Sequence, residues 1–332
     1  MKKGLNKAKS SHLGLLAIVF MVSMVAWPLS GASAAERKFP SKPIQVVIGF
    51  QPGDTDNLLR PFIEKMPEYL GEPLTFVYKA GAAGSLGASF VATTKPDGYT
   101  LLGTSQSSIC VVPLIQKNLD YNWESFSPVS SLLKVPYLLA VKADARWKNI
   151  RDLVAEAKKE PNKITYSSSG TFGLPHIAGE IFCKEAAIRM NYIPSQGSTP
   201  AVTAVLGGHV DAVSTPTTPV LAHIRAGTMR ALAVFGEERM KALPDVPTFR
   251  EEGYPVVVSV AVGLLAPQKV PRDIIETLHQ AAAKAVKNHG DFITDRLNKV
   301  GGEVFFLGPE EYSAFLRKNY ELFRGVLKDM SK

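Results

Sequence analysis

Apolar residues recur along the chain in two alternating rhythms. Short β-favouring runs, such as KPIQVVIGF at 42–50, are followed by a Gly/Ser/Thr/Asp stretch and then by segments with apolar positions three and four apart. On this pattern, strands are predicted at 42–50, 74–78, 100–103, 137–142, 164–167, 190–193, 231–235 and 256–265. Helices are predicted at 57–70, 88–94, 150–160, 177–187 and 201–207, with further helical segments starting near Pro271, Asp291 and Pro309. Alternation of this kind implies an α/β fold with a mostly parallel sheet and right-handed crossovers. The order of elements suggests two lobes, with a return to the first after the connection Pro244-Asp245-Val246-Pro247. The expected boundaries are 35–138 with 256–332 for lobe 1 and 139–255 for lobe 2.

The N-terminus has a different layout. Lys2, Lys3, Lys7 and Lys9, with no acid among them, precede an apolar run of 15 residues at 13–27 and the small, polar stretch Ser30-Gly31-Ala32-Ser33-Ala34-Ala35. That is the layout of a secretory signal peptide, with cleavage expected after Ala34. The run is short of the roughly 20 residues a membrane-spanning helix needs, and Trp27-Pro28 breaks it. A periplasmic location follows as the expectation. Without the leader's four lysines the formal net charge falls from +8 to +4, and no block of like charges marks a nucleic-acid or membrane-surface patch. A mild positive field suits a small anion. Cys110 and Cys183, far apart in sequence, read as two separately buried thiols rather than a bridge. No metal-ligand spacing is present, so neither metal nor cofactor is expected.

Candidate chemistry gathers in the segments between strands and helices. These are Gly53 with Thr55; Gly81, Ala82, Ala83, Gly84 and Ser85; Thr104 to Ser108 including Ser105; Ser168, Ser169, Gly170 and Thr171; and Gly197, Ser198 and Thr199. Glycine lets backbone approach a ligand, and helix N-termini present N–H groups with partial positive charge, so such loops can hold a carboxylate with few full charges. One loop alone is what an ordinary turn would show; five in strand-to-helix positions point to a binding cleft. Enzyme signatures are missing: there is no GxSxG elbow, no phosphate loop and no GxGxxG, since Gly81, Gly84 and Gly87 are wrongly spaced. His176 is expected to bond within its own helix rather than act as a base.

The motifs Pro40-Ser41-Lys42-Pro43-Ile44, Gly53-x-Thr55-Asp56 with Arg60, and Ala80 to Gly87 (AGAAGSLG) stand in order along the chain. They are followed by Pro96-Asp97-Gly98-Tyr99-Thr100-Leu101-Leu102, Gly207-Gly208-His209-Val210-Asp211, Ala226-Gly227 with Arg230-Ala231-Leu232-Ala233-Val234, and Leu243-Pro244-Asp245-Val246-Pro247-Thr248. In these residues the chain resembles the tripartite tricarboxylate transporter receptors, or Bug family, over about 39–308. The resemblance implies a two-lobed type II periplasmic-binding-protein fold that closes over its ligand. It implies a small carboxylate as ligand: a di- or tricarboxylate, an amino acid or an aromatic acid. It also implies a membrane transporter of one large and one small subunit as partner. By the same resemblance the ligand loops are Gly53 to Asp56 and Gly81 to Ser85, faced by Ser168 to Gly173 with Phe172, and by Ser198 and Thr199. A monomer is expected, with no nucleic acid as partner. The chain departs from the family pattern at Pro52, Asp54, Phe172, Gly173 and Ser195. Asp54 and Asp56 would repel an anion unless they point away from it, and Phe172 offers a ring to a flat ligand. Two other readings stay open: a receptor that docks on a sensor kinase, and a secreted enzyme with an unrecognised site.

Overall fold

Seventeen consecutive residues, Phe126–Lys142, form one strand that carries the chain through the whole molecule. In the computed structural model, which describes residues 39–52, 55–116, 118–171, 173–195 and 197–330, this strand is the fourth of ten. The leader expected at 1–34 lies outside the described residues, as do Gly53, Asp54 and Phe172.

The chain begins with β1 (Ile44–Ile48), α1 (Thr55–Ile63), α2 (Pro67–Leu70), β2 (Leu74–Tyr78), α3 (Ser85–Ala92), β3 (Thr100–Ser105) and α4 (Val112–Ile115). After β4 (Phe126–Lys142) come α5 (Ile150–Lys159), β5 (Thr165–Ser167), α6 (Leu174–Glu185), β6 (Asn191–Ile193), α7 (Ser198–Leu206), β7 (Ala212–Pro216), α8 (Leu221–Arg225) and β8 (Met229–Val234). The chain then returns through β9 (Ser259–Pro267), α9 (Arg272–Lys299), β10 (Glu303–Leu307) and α10 (Pro309–Met330).

The strand order is β2-β1-β3-β9-β4-β7-β5-β6, with β10 and β8 also on β4. Residues 126–136 of β4 pair with β9, and residues 131–134 with β10; residues 137–142 pair with β7 and β8. The outer strands are parallel (β1 with β2 and β3, β5 with β6 and β7), whereas the pairs around β4 and β9 are antiparallel. The crossover lies between the pairs Pro136↔Ser259 and Tyr137↔Pro216.

Three departures from the sequence-based expectation have local causes. Pro128 and Pro136 demote the first part of β4 as a strand, yet Pro128 sits at a bulge and Pro136 at the crossover, the places where a missing N–H is tolerated. The helix expected at 57–70 is split, with Pro67 opening α2. The segments expected from Pro271 and Asp291 are one helix with non-helical angles at His289 (φ −125°, ψ 25°), and the half-buried β10 follows it. A smaller buried cluster gathers Leu138, Val205, Val213 and Val234, while the main one, with Ile44, Leu101, Leu133, Tyr166, Phe235 and Leu264, reaches both ends of β4. Cys110 and Cys183 are free and buried in it, as expected.

Candidate functional site

Strand directions fix where the loops go. β3 runs antiparallel to β9, β9 antiparallel to β4, and β4 antiparallel to β7, which is parallel to β5. The carboxyl ends of β1, β2 and β3 therefore point opposite to those of β5 and β6. Ser105 at the end of β3 pairs with Val262, three residues from Ser259, and Pro216 at the end of β7 pairs with Tyr137. Both sets of ends thus aim at the crossover from opposite sides, and every loop singled out in the sequence leaves one of these ends.

On the first side, Thr55 and Asp56 open α1, and both are buried. Asp56 accepts from Arg60 Nη2 at 3.1 Å and from Tyr78 Oη at 3.0 Å. The Asp56 carboxylate is thereby engaged within its own half of the sheet. Burial, and next the hydrogen bond to Asp56, push the Tyr78 phenol upward.

Residues 81–84 have an unusual backbone. Gly81, Ala82, Ala83 and Gly84 have φ of 143°, 47°, 56° and 88°, and α3 begins at Ser85. The helix starts earlier than the expected residue 88 because this left-handed run turns the chain directly into it. Alanine in the left-handed region costs about 1–2 kcal/mol, so something must hold the run in place. Close backbone packing does so. A Cβ on Gly49 would lie 2.7 Å from Gly84 Cα, and one on Gly87 would lie 2.8 Å from Gly49 Cα. Ser108 Oγ donates to Ala83 O at 3.1 Å, and Tyr121 Oη donates to Ser108 O at 2.8 Å. Ser85 and Ser105 are buried, and a π-helical turn (Ser107–Val111) carries the chain away from β3.

The facing loops are held by side chains. Ser168 is fully buried, its hydroxyl 3.0 Å from Tyr192 Oη and 3.2 Å from Gly170 O. The Tyr192 ring stacks on His176, with centroids 3.8 Å apart and an interplanar angle of 21°. His176 Nε2 lies 3.6 Å from Glu180 Oε1, one turn further along α6, and Tyr166 Oη donates to the same carboxylate. Burial raises the Glu180 carboxyl, but the His176 and Tyr166 hydrogen bonds outweigh it and leave the group below the usual carboxylate range. Ser169 is half-buried and Thr171 exposed; the loop carrying Ser198 (half-buried) and Thr199 (exposed) lies alongside, since a Cβ on Gly170 would be 3.8 Å from Ser195 O.

The site residues the sequence picked out thus fall into two groups, at strand ends that aim at the crossover from opposite sides, with Gly53, Asp54 and Phe172 outside the described residues. Sequence reading missed the residues behind them: Tyr78, Gln106, Tyr192 and Glu180. The His176-x-x-x-Glu180 spacing was a legible signal, since it places both side chains on one helix face. A separate concavity of about 420 Å³, lined by Lys158, Cys183, Lys184 and Arg189, lies at the far end of α6 from the Ser168 loop. Burial there pushes the Cys183 thiol up to about 12, so it serves as an apolar wall. Among the described residues no His/Cys/Asp/Glu group could hold a metal, and no helix is long and apolar enough to cross a membrane.

The family profile of the tripartite tricarboxylate transporter family receptor matches residues 58–331. A protein of Cupriavidus necator, described as the UPF0065 protein in the gbd 5' region, is 30% identical over 325 residues, 96% of each chain. BugT of Bordetella pertussis is 29% identical over 321 residues, again 96% of each. Among solved structures, one described as a periplasmic transporter superposes with a TM-score of 0.78 at 34% identity, covering 88% of this chain and 98% of that one. MatC of Rhodopseudomonas palustris with bound malate superposes at 0.74 and 25% identity, covering 87% and 99%. The fold is that of the periplasmic binding proteins, and its function is reception rather than catalysis: this chain belongs to the tripartite tricarboxylate transporter receptor family.

Proposed function

We propose that the mature chain, cleaved after Ala34, is a periplasmic receptor for a small dicarboxylate of malate's size. It closes over this ligand and presents it to a membrane transporter of one large and one small subunit. The lobes are 35–138 with 256–332, and 139–255, and the receptor works as a monomer. The observation that carries this reading is the left-handed run at residues 81–84 on the N-terminus of α3. Turn backbone of this kind suits an oxyanion through the N–H groups of Ala82 and Ala83, since those of Gly81, Gly84 and Ser85 bond to Gly49 O, Gly81 O and Ala82 O, and the helix end adds partial positive charge. Thr55, Ser85 and Ser105 supply hydroxyls beside one carboxylate, while Ser168, Ser169, Thr171, Ser198 and Thr199 meet the other. With Asp56 committed to Arg60 and Tyr78, repulsion of an anion is reduced. Malate bound to MatC supports the size class.

Ligand contacts on both lobes favour the closed state by their differential affinity. A thermal-shift screen of the mature protein against malate, succinate, citrate, amino acids and benzoate tests the reading. At a hundred times Kd, binding adds about 2.7 kcal/mol, and a C4 dicarboxylate should raise Tm by several degrees. A rise with a cationic or neutral compound and none with any acid would sink it.

A further inference from the structure

Gln106 follows β3 directly and is fully buried. The β3·β9 ladder ends at Ser105↔Val262, and the next pair, Gln106 with Ala261, does not form because the chain turns into the π-helical segment. The edge of β9 that β3 abandons is the stretch nearest the crossover, where β9 pairs on its other side with Pro136, a residue without an N–H. The Gln106 side chain takes over this edge. Its Nε2 donates to Ser259 O at 2.7 Å, and its Oε1 accepts from Ala261 N at 2.7 Å. Residues two apart on a strand present their N–H and C=O on the same edge, and one carboxamide carries both a donor and an acceptor, so a single side chain satisfies both groups.

Two residues further on, Ser108 Oγ holds Ala83 O inside the left-handed run. Gln106 and Ser108 therefore stand at opposite ends of one short turn, the first fastened to the crossover strand and the second to the loop of residues 81–85. We propose that Gln106 is a positioning residue that couples the crossover to this loop, so that movement about the crossover alters the loop's geometry through the turn at 106–108. The inference rests on the reading of that loop as the ligand site, but its test needs no ligand, so either can fail without the other.

The test is amide hydrogen exchange on the ligand-free mature protein. The reporters are the amide of Ala261, bonded to Gln106, and those of Gly81, Gly84 and Ser85, bonded within the loop region to Gly49 O, Gly81 O and Ala82 O. Gln106→Met, of similar volume but with neither donor nor acceptor, should speed exchange at both sets roughly tenfold, the equivalent of one lost hydrogen bond. A residue that merely satisfied β9 would change Ala261 alone, and that outcome, or no change at all, overturns the proposal. Ser108→Ala should speed the loop set and leave Ala261 protected; a loop unaffected by it also overturns the link. Gln106→Glu serves where the methionine variant does not fold. Its protonated form reproduces the carboxamide's donor and acceptor, and its ionised form loses the donor. After correction for intrinsic rates, both sets should therefore be better protected at about pH 5 than at about pH 8, since burial raises the carboxyl. Equal protection of the loop at the two pH values, with Ala261 responding, overturns the coupling.

Discussion

The loops at the two sides of the crossover are built by different means. Residues 81–84 are shaped by backbone: four consecutive positive φ values held by glycine contacts too close for any Cβ. The loop at Ser168 is shaped by side chains, through Tyr192, His176, Glu180 and Tyr166. A backbone cradle is most sensitive to an added atom. A side-chain network has the opposite sensitivities, because each polar member removed leaves a buried partner unsatisfied.

The largest effect that tests this contrast is Gly84→Ala. Its Cβ would meet Ser108 Oγ at 2.5 Å and the Phe50 ring at 3.1 Å, at a φ of 88°. Strain and overpacking together should cost roughly 2–4 kcal/mol in denaturant unfolding. Gly170→Ala in the facing loop has a similarly disallowed φ of 145° but no atom nearer than 3.8 Å, and should cost only roughly 1–2 kcal/mol. Equal losses would show that the first loop is no more tightly packed than the second.

Tyr166→Phe should cost roughly 1–2 kcal/mol near neutral pH, with the side chain of Glu180 about one-third exposed and screened accordingly. The sign of its pH dependence follows from the depressed Glu180 carboxyl. A folded-state value below the unfolded one adds stability at pH above the ordinary carboxylate range, and this is lost as pH falls through the folded value. The gap between wild type and Tyr166→Phe should therefore narrow on acidification below about pH 4. A gap independent of pH would mean that the Tyr166 hydroxyl does not act through this carboxylate.

The smallest effect has the opposite sign. Ala83→Gly relieves a left-handed alanine at φ 56° but enlarges the entropy of the unfolded chain, for a net gain of about 0.5 kcal/mol. If the strain serves ligand capture, the same variant should bind its dicarboxylate more weakly in calorimetry. Unchanged affinity with raised stability would detach the strain from function.

Much of this was legible in the sequence. Strand-helix alternation and the Gly/Ser loops pointed to an α/β architecture with a cleft, because periodicity and turn chemistry are local properties, while the receptor family came from the resemblance of the ordered motifs. The first part of β4 was not legible: Pro128 and Pro136 look like strand breakers, and only the register showed that one falls at a bulge and the other at the crossover. Neither was the fate of Asp56, whose carboxylate accepts a hydrogen bond from Tyr78, 22 residues away. Gln106 read as one polar residue in a polar stretch, and its partners lie 153 and 155 residues further on.

By itself, then, the sequence determined the alternation of strands and helices, which loops are rich in glycine and hydroxyls, and that Cys110 and Cys183 stand far apart. The tertiary structure alone decided that the two sets of strand ends aim at the crossover from opposite sides, since this depends on the antiparallel crossing of β4 and β9, a pairing between residues more than a hundred positions apart. It also decided which polar groups are already engaged, because hydrogen bonds that bury a side chain are set by packing in space rather than by neighbours along the chain.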